Sequence, residues 1–251
     1  MKIQDGDIFE LGKHRIACGD SLDRELVDKL VGETEIRCVL TDPPYGVDYV
    51  AGKQYLTAYG KFNEDHQDIK SDGTQSPGEY KNFSLVWIKN IIPHLSSYNA
   101  FYIFNSDLLY CSLKAAMEEA GVYHSQMLVW VKSQAFPGRK DYLPQHEVIA
   151  YGWHGRHKAE RGKGHSVFFH PKPSRSRLHP TQKPVGLLRK ILQNSTRMGE
   201  TVYDPFLGSG STLIGCEHLK RSCYGIEKDH NYVSTIIQRY EKLTGEKAKK
   251  I

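Results

Sequence analysis

Asp42, Pro43, Pro44 and Tyr45 combine side-chain and backbone groups that suit chemistry on an amino group. The apolar run over residues 36–40 before them predicts a buried parallel strand. Two successive prolines end that strand, because proline has no N–H to donate to a neighbouring strand. Open α/β sheets bind ligands at the carboxyl ends of their strands, so these four residues are expected beside a ligand.

The chemistry suggested by these residues is activation of a weak nucleophile. The exocyclic amino group of a nucleobase has its lone pair delocalised into the ring. A carboxylate from Asp42 and a backbone carbonyl from Pro43 can accept both of its N–H bonds, while Tyr45 offers a flat face for an extruded base. Group transfer then requires only positioning and electrostatics. A proline-ended strand running into an ordinary loop is the alternative interpretation.

A second motif near the end of the chain indicates a nucleotide site. Asp204 closes a short strand, and Gly208 and Gly210 allow a tight turn into a helix beginning near Ser211. The dinucleotide fingerprint places glycine or alanine where this chain has Leu213, so a nicotinamide enzyme is the weaker interpretation.

Glu227 supports a nucleotide ligand at this second motif. It ends the next predicted strand, over residues 223–226, about twenty residues after the glycines. A carboxylate at that place can accept hydrogen bonds from both hydroxyls of a ribose. Glycines that merely turn a strand into a helix would leave Glu227 unexplained.

With these motifs in this order, the chain resembles the β-class amino-methylating DNA methyltransferases, in which the acceptor motif precedes the glycine motif. The resemblance includes His-Pro-Thr-Gln-Lys-Pro at 179–184, Cys-Gly-Asp-Ser at 18–21 and Gln-His-Glu at 145–147, and covers nearly the whole chain. It implies S-adenosylmethionine as cofactor and direct transfer without a covalent enzyme intermediate. Aspartate rather than serine at position 42 favours adenine N6 among such enzymes.

The resemblance also implies roles for individual residues. Asp42 and Pro43 would orient the amine, Pro44 would shape the turn and Tyr45 would stack on the base. The expected cofactor-binding residues are Phe206, Gly208, Gly210 and Glu227, helped by Asp20, Asp204, Thr181 and Lys183. For Asp20, an ordinary helix cap before Leu22 is an equally good interpretation.

Alternating predicted strands and helices indicate one α/β domain over residues 1–251, a circularly permuted Rossmann-like methyltransferase fold. We expect a mixed, mostly parallel seven-stranded sheet with helices on both faces. The glycine strand would be first in the usual order, followed by the strands ending at Glu227, Asp20 and Asp42. The termini would then fall between the second helix and third strand. Ser106 is expected to cap a helix reaching Gly121, and residues 247–250 to fray.

Two expected insertions interrupt this pattern. Residues 46–79 are polar and predict a lid over the extruded base, with a disordered surface loop as the alternative. Residues 153–178 are rich in basic and aromatic side chains, which suit contact with phosphates and stacking, and they lie where the resemblance places target recognition; a solvated basic loop is the alternative. The expected DNA-binding residues are Arg139, Lys140, Arg156, Lys158, Arg161, Arg175 and Arg177.

Composition narrows the class of protein further. The net charge of +5 is mild, so contact with a polyanion has to come from clustered charges. Five cysteines without a Cys-x-x-Cys pair predict a reduced, cytoplasmic protein, and the lack of a Pro-Cys pair weighs against methylation of a cytosine ring carbon. No long apolar stretch or amino-terminal signal is apparent, which disfavours membrane insertion and secretion. Histidines crowd residues 154–170, but we expect no metal. Enzymes that the chain resembles often form homodimers, but nothing in the sequence marks an interface.

Three other functions stay open at this point. Cytosine N4 methylation would use the same site on a different base. The enzymes that methylate protein glutamine carry Asn-Pro-Pro-Tyr and lack a basic insertion of this kind. A DNA-binding module that retains the nucleotide fold without turnover is the alternative from a different class, and the intact acceptor and donor motifs argue against it.

Overall fold

A computed structural model describes residues 2–44, 75–135, 141–162, 164–171 and 183–251. In this part of the chain ten strands form one sheet, in the order β10-β1-β2-β9-β8-β3-β4-β6-β5-β7. Their bounds are β1 Ile8–Leu11, β2 His14–Cys18, β3 Ile36–Thr41, β4 Leu95–Asn105, β5 Val122–Val131, β6 His146–His154, β7 Val167–Phe169, β8 Thr201–Asp204, β9 Ser222–Glu227 and β10 Lys249–Lys250.

Helices cover both faces of the sheet, as the sequence predicts. The described helices are α1 Arg24–Val31, α2 Pro77–Ile91 followed by a 3₁₀ turn over Ile92–His94, α3 Tyr110–Glu119, α4 Val185–Ser195, α5 Ser211–His218 and α6 His230–Thr244. Buried side chains of α1, α2 and α3 form one apolar cluster with the sheet, and those of α4, α5 and α6 form a second. Among these helices, none is long and apolar enough to cross a membrane.

The central strands confirm the expected circular permutation. Strands β2, β9, β8, β3 and β4 lie side by side and are all parallel. β6 then runs antiparallel to β4, and β5 antiparallel to β6. The glycine strand β8 therefore lies between the strand ending at Glu227 and the strand that leads to Asp42. All six residues of β3 are buried, as expected for a parallel strand covered on both faces.

Three strands beyond the predicted seven extend the sheet at its edges. β1 pairs antiparallel with β2, and β10 pairs antiparallel with β1 through Phe9 and Lys250. The expectation of a frayed tail at 247–250 was therefore wrong: the Ile251 N–H donates to the Ile8 carbonyl at 2.9 Å. A two-residue strand has no periodicity of its own, and only the open edge of β1 gives it a partner.

The two predicted insertions are shorter than expected. Residues 77–79 form the first turn of α2, where Ser76 and Glu79 make a capping box; residues 46–74 of the expected lid lie outside the described part. In the segment 153–178, Trp153 and His154 complete β6, and β7 pairs parallel with β5. This segment thus contributes to the sheet rather than only interrupting it.

The helix after β4 also begins later than predicted. It starts at Tyr110, with Leu109 at the cap position and no side-chain cap. Ser106 instead donates its backbone N–H to the side chain of Asn105 at 2.7 Å. The chain then turns once more over residues 107–109 before α3 begins.

We predict that Gly225→Ala lowers stability without touching any charged group. Gly225 lies in β9, and a Cβ there would meet the Asp204 carbonyl oxygen at 2.6 Å and Leu207 Cγ at 2.6 Å. Because one neighbour is backbone, the strand has to shift, which costs about 1–3 kcal/mol. Gly78→Ala in α2, where a Cβ meets nothing within 4 Å, is the control. Urea unfolding measures both, and equal midpoints would contradict the prediction.

Candidate active site

The carboxyl ends of five parallel strands meet along one edge of the sheet, hereafter the carboxyl edge. There β2 leads to Asp20, β3 leads to Asp42, β9 ends at Glu227, β8 ends at Asp204 and β4 ends at Asn105. Asn105 pairs with Val148, so the beginning of β6 and the end of β5 lie at the same edge. The fold therefore gathers the acceptor motif, the glycine motif and Asp20 in one row.

Glu227 is bound into the glycine turn. Its carboxylate accepts hydrogen bonds from the backbone N–H of Gly208 at 2.7 Å and of Asp229 at 2.8 Å. Burial raises the pKa of Glu227 to about 7, because the two backbone donors only partly offset the loss of water, and the nearby charges of Asp229 and Asp204 act in the same direction as burial. The ionised carboxylate of Glu227 thus has too few hydrogen-bond donors to offset its burial fully.

The two glycines take backbone conformations that side chains disfavour. Gly208 has φ of 52° and Gly210 has φ of 82°, in the left-handed region. Gly210 is the cap residue of α5, and a Cβ on it would approach Ile236 Cγ1 to 3.0 Å. Between strand and turn, Phe206 packs edge-on against Trp87 with ring centres 5.7 Å apart. The turn is consequently held from α2 on one side and α6 on the other.

Asp204 joins the acceptor strand to the glycine strand. It is 3% exposed, and its Oδ1 accepts from Thr41 Oγ1 at 2.8 Å and from the Phe206 N–H at 3.1 Å. Burial raises its pKa to about 6, while hydrogen bonds from Thr212 and Thr41 oppose the shift. The side chain expected to assist a cofactor is therefore directed into the protein, where it fixes Thr41, the residue before Asp42.

Asp20 is not the cap of α1. That role belongs to Asp23, which accepts from the backbone N–H of Glu25 at 2.9 Å and of Leu26 at 3.2 Å. Asp20 accepts from the Leu22 N–H at 3.0 Å and pairs with Lys228 at 2.7 Å. Burial opposes ionisation of Asp20, but the hydrogen bonds from Lys228 and the Leu22 N–H, together with the charge of Lys228, outweigh it and lower the pKa. The interpretation of Asp20 as a helix cap was thus wrong, because the cap is Asp23, three residues later.

Asp42 belongs to a row of alternating charges along the carboxyl edge. Lys183 contacts the Asp42 carboxylate and also lies 3.1 Å from Glu147 Oε2, and Glu147 Oε1 lies 2.7 Å from Lys132. Lys183 and Lys132 lie over the rings of Phe104 and Trp130, with 5.2 and 5.4 Å from Nζ to ring centre. We call Asp42, Lys183, Glu147 and Lys132 the charge row.

Lys183 and Glu147 of the charge row have shifted pKa values, and both shifts favour the ionised form. Burial disfavours a charged Lys183, but Asp42 and Glu147 raise its pKa above the ordinary value. Burial likewise opposes ionisation of Glu147, while Lys183 and Lys132 lower its pKa. Tyr80 and Asn105 lie beside this row: Asn105 donates to the Tyr80 hydroxyl at 3.1 Å, and burial followed by the Asp42 charge raises the Tyr80 pKa.

Sequence reasoning missed Glu147, Lys132, Tyr80 and Asn105 as parts of the site. Glu147 stood in a matching motif without a role. The others carry no local signal, because their partners lie in helices and strands that are distant in the sequence. The available signal was a charged residue at each end of the connection between β5 and β6, Lys132 and Glu147, since charged residues collect at the carboxyl edge.

A comparison with known families identifies the chain. The profile of the N6/N4 methyltransferase family, described as DNA methylase, matches residues 36–239. The chain belongs to this DNA methylase family.

Relatives agree with this membership. The Type II methyltransferase M.HpaI of Haemophilus parainfluenzae is 26% identical over 239 residues, which cover 85% of this chain and 70% of that protein. Among solved structures, an M1.HpyAVI–SAM complex has a TM-score of 0.67 and 24% identity over 89% of this chain and 97% of that one. The PvuII DNA methyltransferase, cytosine-N4-specific, has a TM-score of 0.70 and 18% identity over 93% of this chain and 91% of that one. These structures confirm the predicted fold class.

Several predicted DNA-binding residues of this methylase lie far from the charge row. β6 begins at the carboxyl edge and runs antiparallel to β4, away from that edge. Arg156 follows β6 and forms an isolated β-bridge with Tyr98, so it lies at the amino ends of the parallel strands. The buried Arg37 donates to the carbonyl oxygens of Tyr98 at 2.7 Å and Lys158 at 2.8 Å. Arg161 contacts Gln193 at 3.3 Å. The antiparallel direction of β6 thus separates Arg156, Lys158 and Arg161 from Asp42.

The remaining predicted residues lie outside the described part of the chain. These are Tyr45, Arg139, Lys140, Arg175, Arg177 and Thr181. Their described neighbours on either side, such as Pro44, Pro171 and Lys183, are at or next to the carboxyl edge: β7 ends beside Val131, and Lys183 contacts Asp42. Their predicted roles stay predictions.

Two of the histidines that crowd the second insertion, His157 and His170, have other partners. His157 stacks on Trp153 with ring centres 4.1 Å apart, and His170 contacts the Pro171 carbonyl at 3.0 Å. Within the described residues, the one group with metal-binding side chains close together is Asp5, Cys18 and His230, whose ligand atoms lie within 4.8 Å of one another. There the Asp5–His230 contact of 2.8 Å is an ordinary hydrogen bond.

Proposed function

We propose that this methylase transfers a methyl group from S-adenosylmethionine to the exocyclic N6 of adenine in DNA. The observation that carries the proposal is the position of Asp42 beside the glycine turn. Thr41 and Asp204 share a buried hydrogen bond of 2.8 Å, so the predicted amine acceptor and methyl donor sites begin on adjacent strands. Amine and donor bound at these two places would meet without a large movement of the protein.

The cofactor is S-adenosylmethionine, and the residues at the carboxyl edge fit it. The chain's family consists of DNA methylases, and the related M1.HpyAVI structure is described as a complex with this compound. Glu227 has a buried carboxylate with a pKa near 7 and two backbone donors, so ribose hydroxyls would supply the donors it lacks. Gly208 and Gly210 leave the turn without side chains in the way.

The acceptor chemistry follows from Asp42 and Pro43. Their carboxylate and carbonyl oxygens would accept the two N–H bonds of the amine and draw its lone pair out of conjugation. S-adenosylmethionine held at Glu227 and the glycine turn would supply the methyl group to this lone pair and would leave as a neutral thioether. The nitrogen would be positively charged after the transfer and would release one proton to solvent. The cofactor supplies the methyl group, and the protein supplies orientation and negative charge beside the nitrogen.

Adenine is favoured over cytosine by the aspartate at position 42, as in the adenine enzymes that the chain resembles. Extrusion of the base from the duplex would be required for either base, because the amino group is otherwise stacked and paired. Cytosine N4 is the second candidate, since the PvuII enzyme with that specificity has a similar fold. The relatives' names also suggest a Type II modification enzyme acting at a specific sequence.

The first prediction from the proposed function is methylation of unmethylated DNA to N6-methyladenine, with loss of this activity in Asp42→Ala. Removing the carboxylate leaves the amine unpolarised, so the rate should fall at least about 100-fold. Asp107→Ala, an exposed aspartate that follows β4, is the control. Mass analysis of nucleosides after incubation with labelled S-adenosylmethionine measures both base and rate. N4-methylcytosine would change the substrate, and no transfer to DNA by the unaltered protein would refute the proposal.

The second prediction concerns pH. The ionised form of Glu227 accepts hydrogen bonds from the ribose, and its pKa in the free protein is about 7. Affinity for S-adenosylmethionine should therefore fall about twofold from pH 8 to 7 and about fivefold from pH 7 to 6, in step with the ionised fraction of Glu227. Glu227→Gln should bind more weakly at pH 8 and lose this part of the pH dependence. Calorimetry at pH 6, 7 and 8 tests this, and a parallel pH dependence in both proteins would contradict it.

The third prediction separates the two groups of basic residues. Arg175→Ala with Arg177→Ala should weaken DNA binding and make its salt dependence less steep, because each phosphate contact releases counterions. Arg156→Ala with Lys158→Ala should change binding little, because these residues lie at the opposite edge of the sheet from Asp42. Fluorescence anisotropy at several salt concentrations gives both slopes. The reverse order of effects would show that DNA binds at the opposite edge.

A further inference from the structure

Lys183 poses an electrostatic difficulty for the acceptor site. Its ammonium group contacts the Asp42 carboxylate, the group that the amine of the base would use. Lys183 is only 7% exposed, so water screens its charge poorly. During methyl transfer the acceptor nitrogen becomes positive, and an ammonium group beside Asp42 would repel it. A working acceptor site therefore requires that this charge be moved or neutralised.

Glu147 is placed to do this. Its Oε2 lies 3.1 Å from Lys183 Nζ, on the side of the lysine away from the acceptor strand, because β6 is separated from β3 by β4. Its other oxygen, Oε1, is held by Lys132 at 2.7 Å. Glu147 is thereby fixed with one oxygen directed at Lys183. Lys183 already spans both carboxylates, so a small movement would exchange one for the other.

We propose that Glu147 is a positioning residue that retains Lys183 when the target amine takes its place on Asp42. Glu147 does not touch the reacting atoms. It offsets the lysine charge, so that the Asp42 end of the charge row presents a net negative charge to the nitrogen. Lys132 orients Glu147 from the other side. This inference rests on the proposed function, since it assigns a role within the same acceptor site.

Glu147→Gln tests the proposal because glutamine keeps the shape and removes the charge. Lys183 should then remain on Asp42, and kcat for DNA methylation should fall about 10- to 100-fold. The dissociation constants of S-adenosylmethionine and DNA should stay within about twofold of the unaltered protein, because neither ligand is expected to contact Glu147. Unchanged kcat in Glu147→Gln would overturn the proposal.

The matched control is Glu160→Gln. Glu160 is a partly buried carboxylate paired with two cations, Arg37 at 3.3 Å and Arg197 at 2.6 Å, but it lies at the opposite edge of the sheet. Its loss should reduce thermal stability without a specific effect on kcat. An equal fall of kcat in both variants would mean that Glu147 acts through stability alone, and would overturn the proposal.

A double-mutant cycle with Lys183→Met distinguishes positioning from a structural role. If Glu147 acts through the lysine, Glu147→Gln should cost less than about twofold in kcat when Lys183 is already absent. The double variant should also be more active than Glu147→Gln alone. A further tenfold loss of kcat in the double variant relative to Lys183→Met would overturn the proposal. This comparison does not use Glu147→Gln alone, so it holds even if that variant is unstable.

The unaltered protein separates this inference from the proposed function. Absence of methyl transfer to DNA by that protein refutes the proposed function itself. Methyl transfer that is insensitive to Glu147 refutes only the positioning role of Glu147 and leaves the proposed function standing.

Discussion

The parallel pairing of β3 with β8 is the constraint on which the rest of the site depends. It places Thr41 next to Asp204, and their buried hydrogen bond ties the strand before Asp42 to the strand before the glycine turn. Asp204 is buried at a cost, since its pKa of about 6 shows that its ionised form is poorly solvated. The hydrogen bonds from Thr41, Thr212 and the Phe206 backbone offset part of that cost. A weaker connection here would let the two halves of the site move independently.

Charges at the carboxyl edge are stabilised by each other rather than by water. In the charge row each buried charge has an opposite neighbour, and the rings of Phe104 and Trp130 lie beneath the two lysines. Removing one member would leave a buried charge uncompensated, which is more costly than the pair is stabilising. The same coupling lets a change at Asp42 be felt at Glu147, two strands away.

The opposite edge of the sheet uses its charges differently. Arg37 is buried and donates to backbone carbonyl oxygens of Tyr98 and Lys158, while Glu160 pairs with Arg37 and Arg197. These contacts fasten the segment after β6 to the amino ends of the strands. Basic residues in this segment are therefore partly structural. A cluster of lysine and arginine in the sequence does not by itself distinguish a DNA-binding surface from basic residues that hold a segment against the sheet.

The sequence alone determined the acceptor strand and the glycine turn, because these depend on local patterns: a buried apolar run, prolines that end it, and glycines before a helix. The order of the motifs along the chain, together with the family resemblance, predicted the strand order and the permuted termini. Tertiary structure decided the remainder. The pairing of β10 with β1, the burial of Asp204 against Thr41 and the contact of Lys183 with Asp42 join residues far apart in the chain, and no local pattern specifies such partners. The direction of β6 set Arg156 and Glu147 at opposite edges, although only a few residues separate them in the sequence. Glu147 lies near the beginning of β6 and Arg156 follows its end, the strand spans roughly 25 Å, and only the paired sheet defines which end meets the catalytic residues.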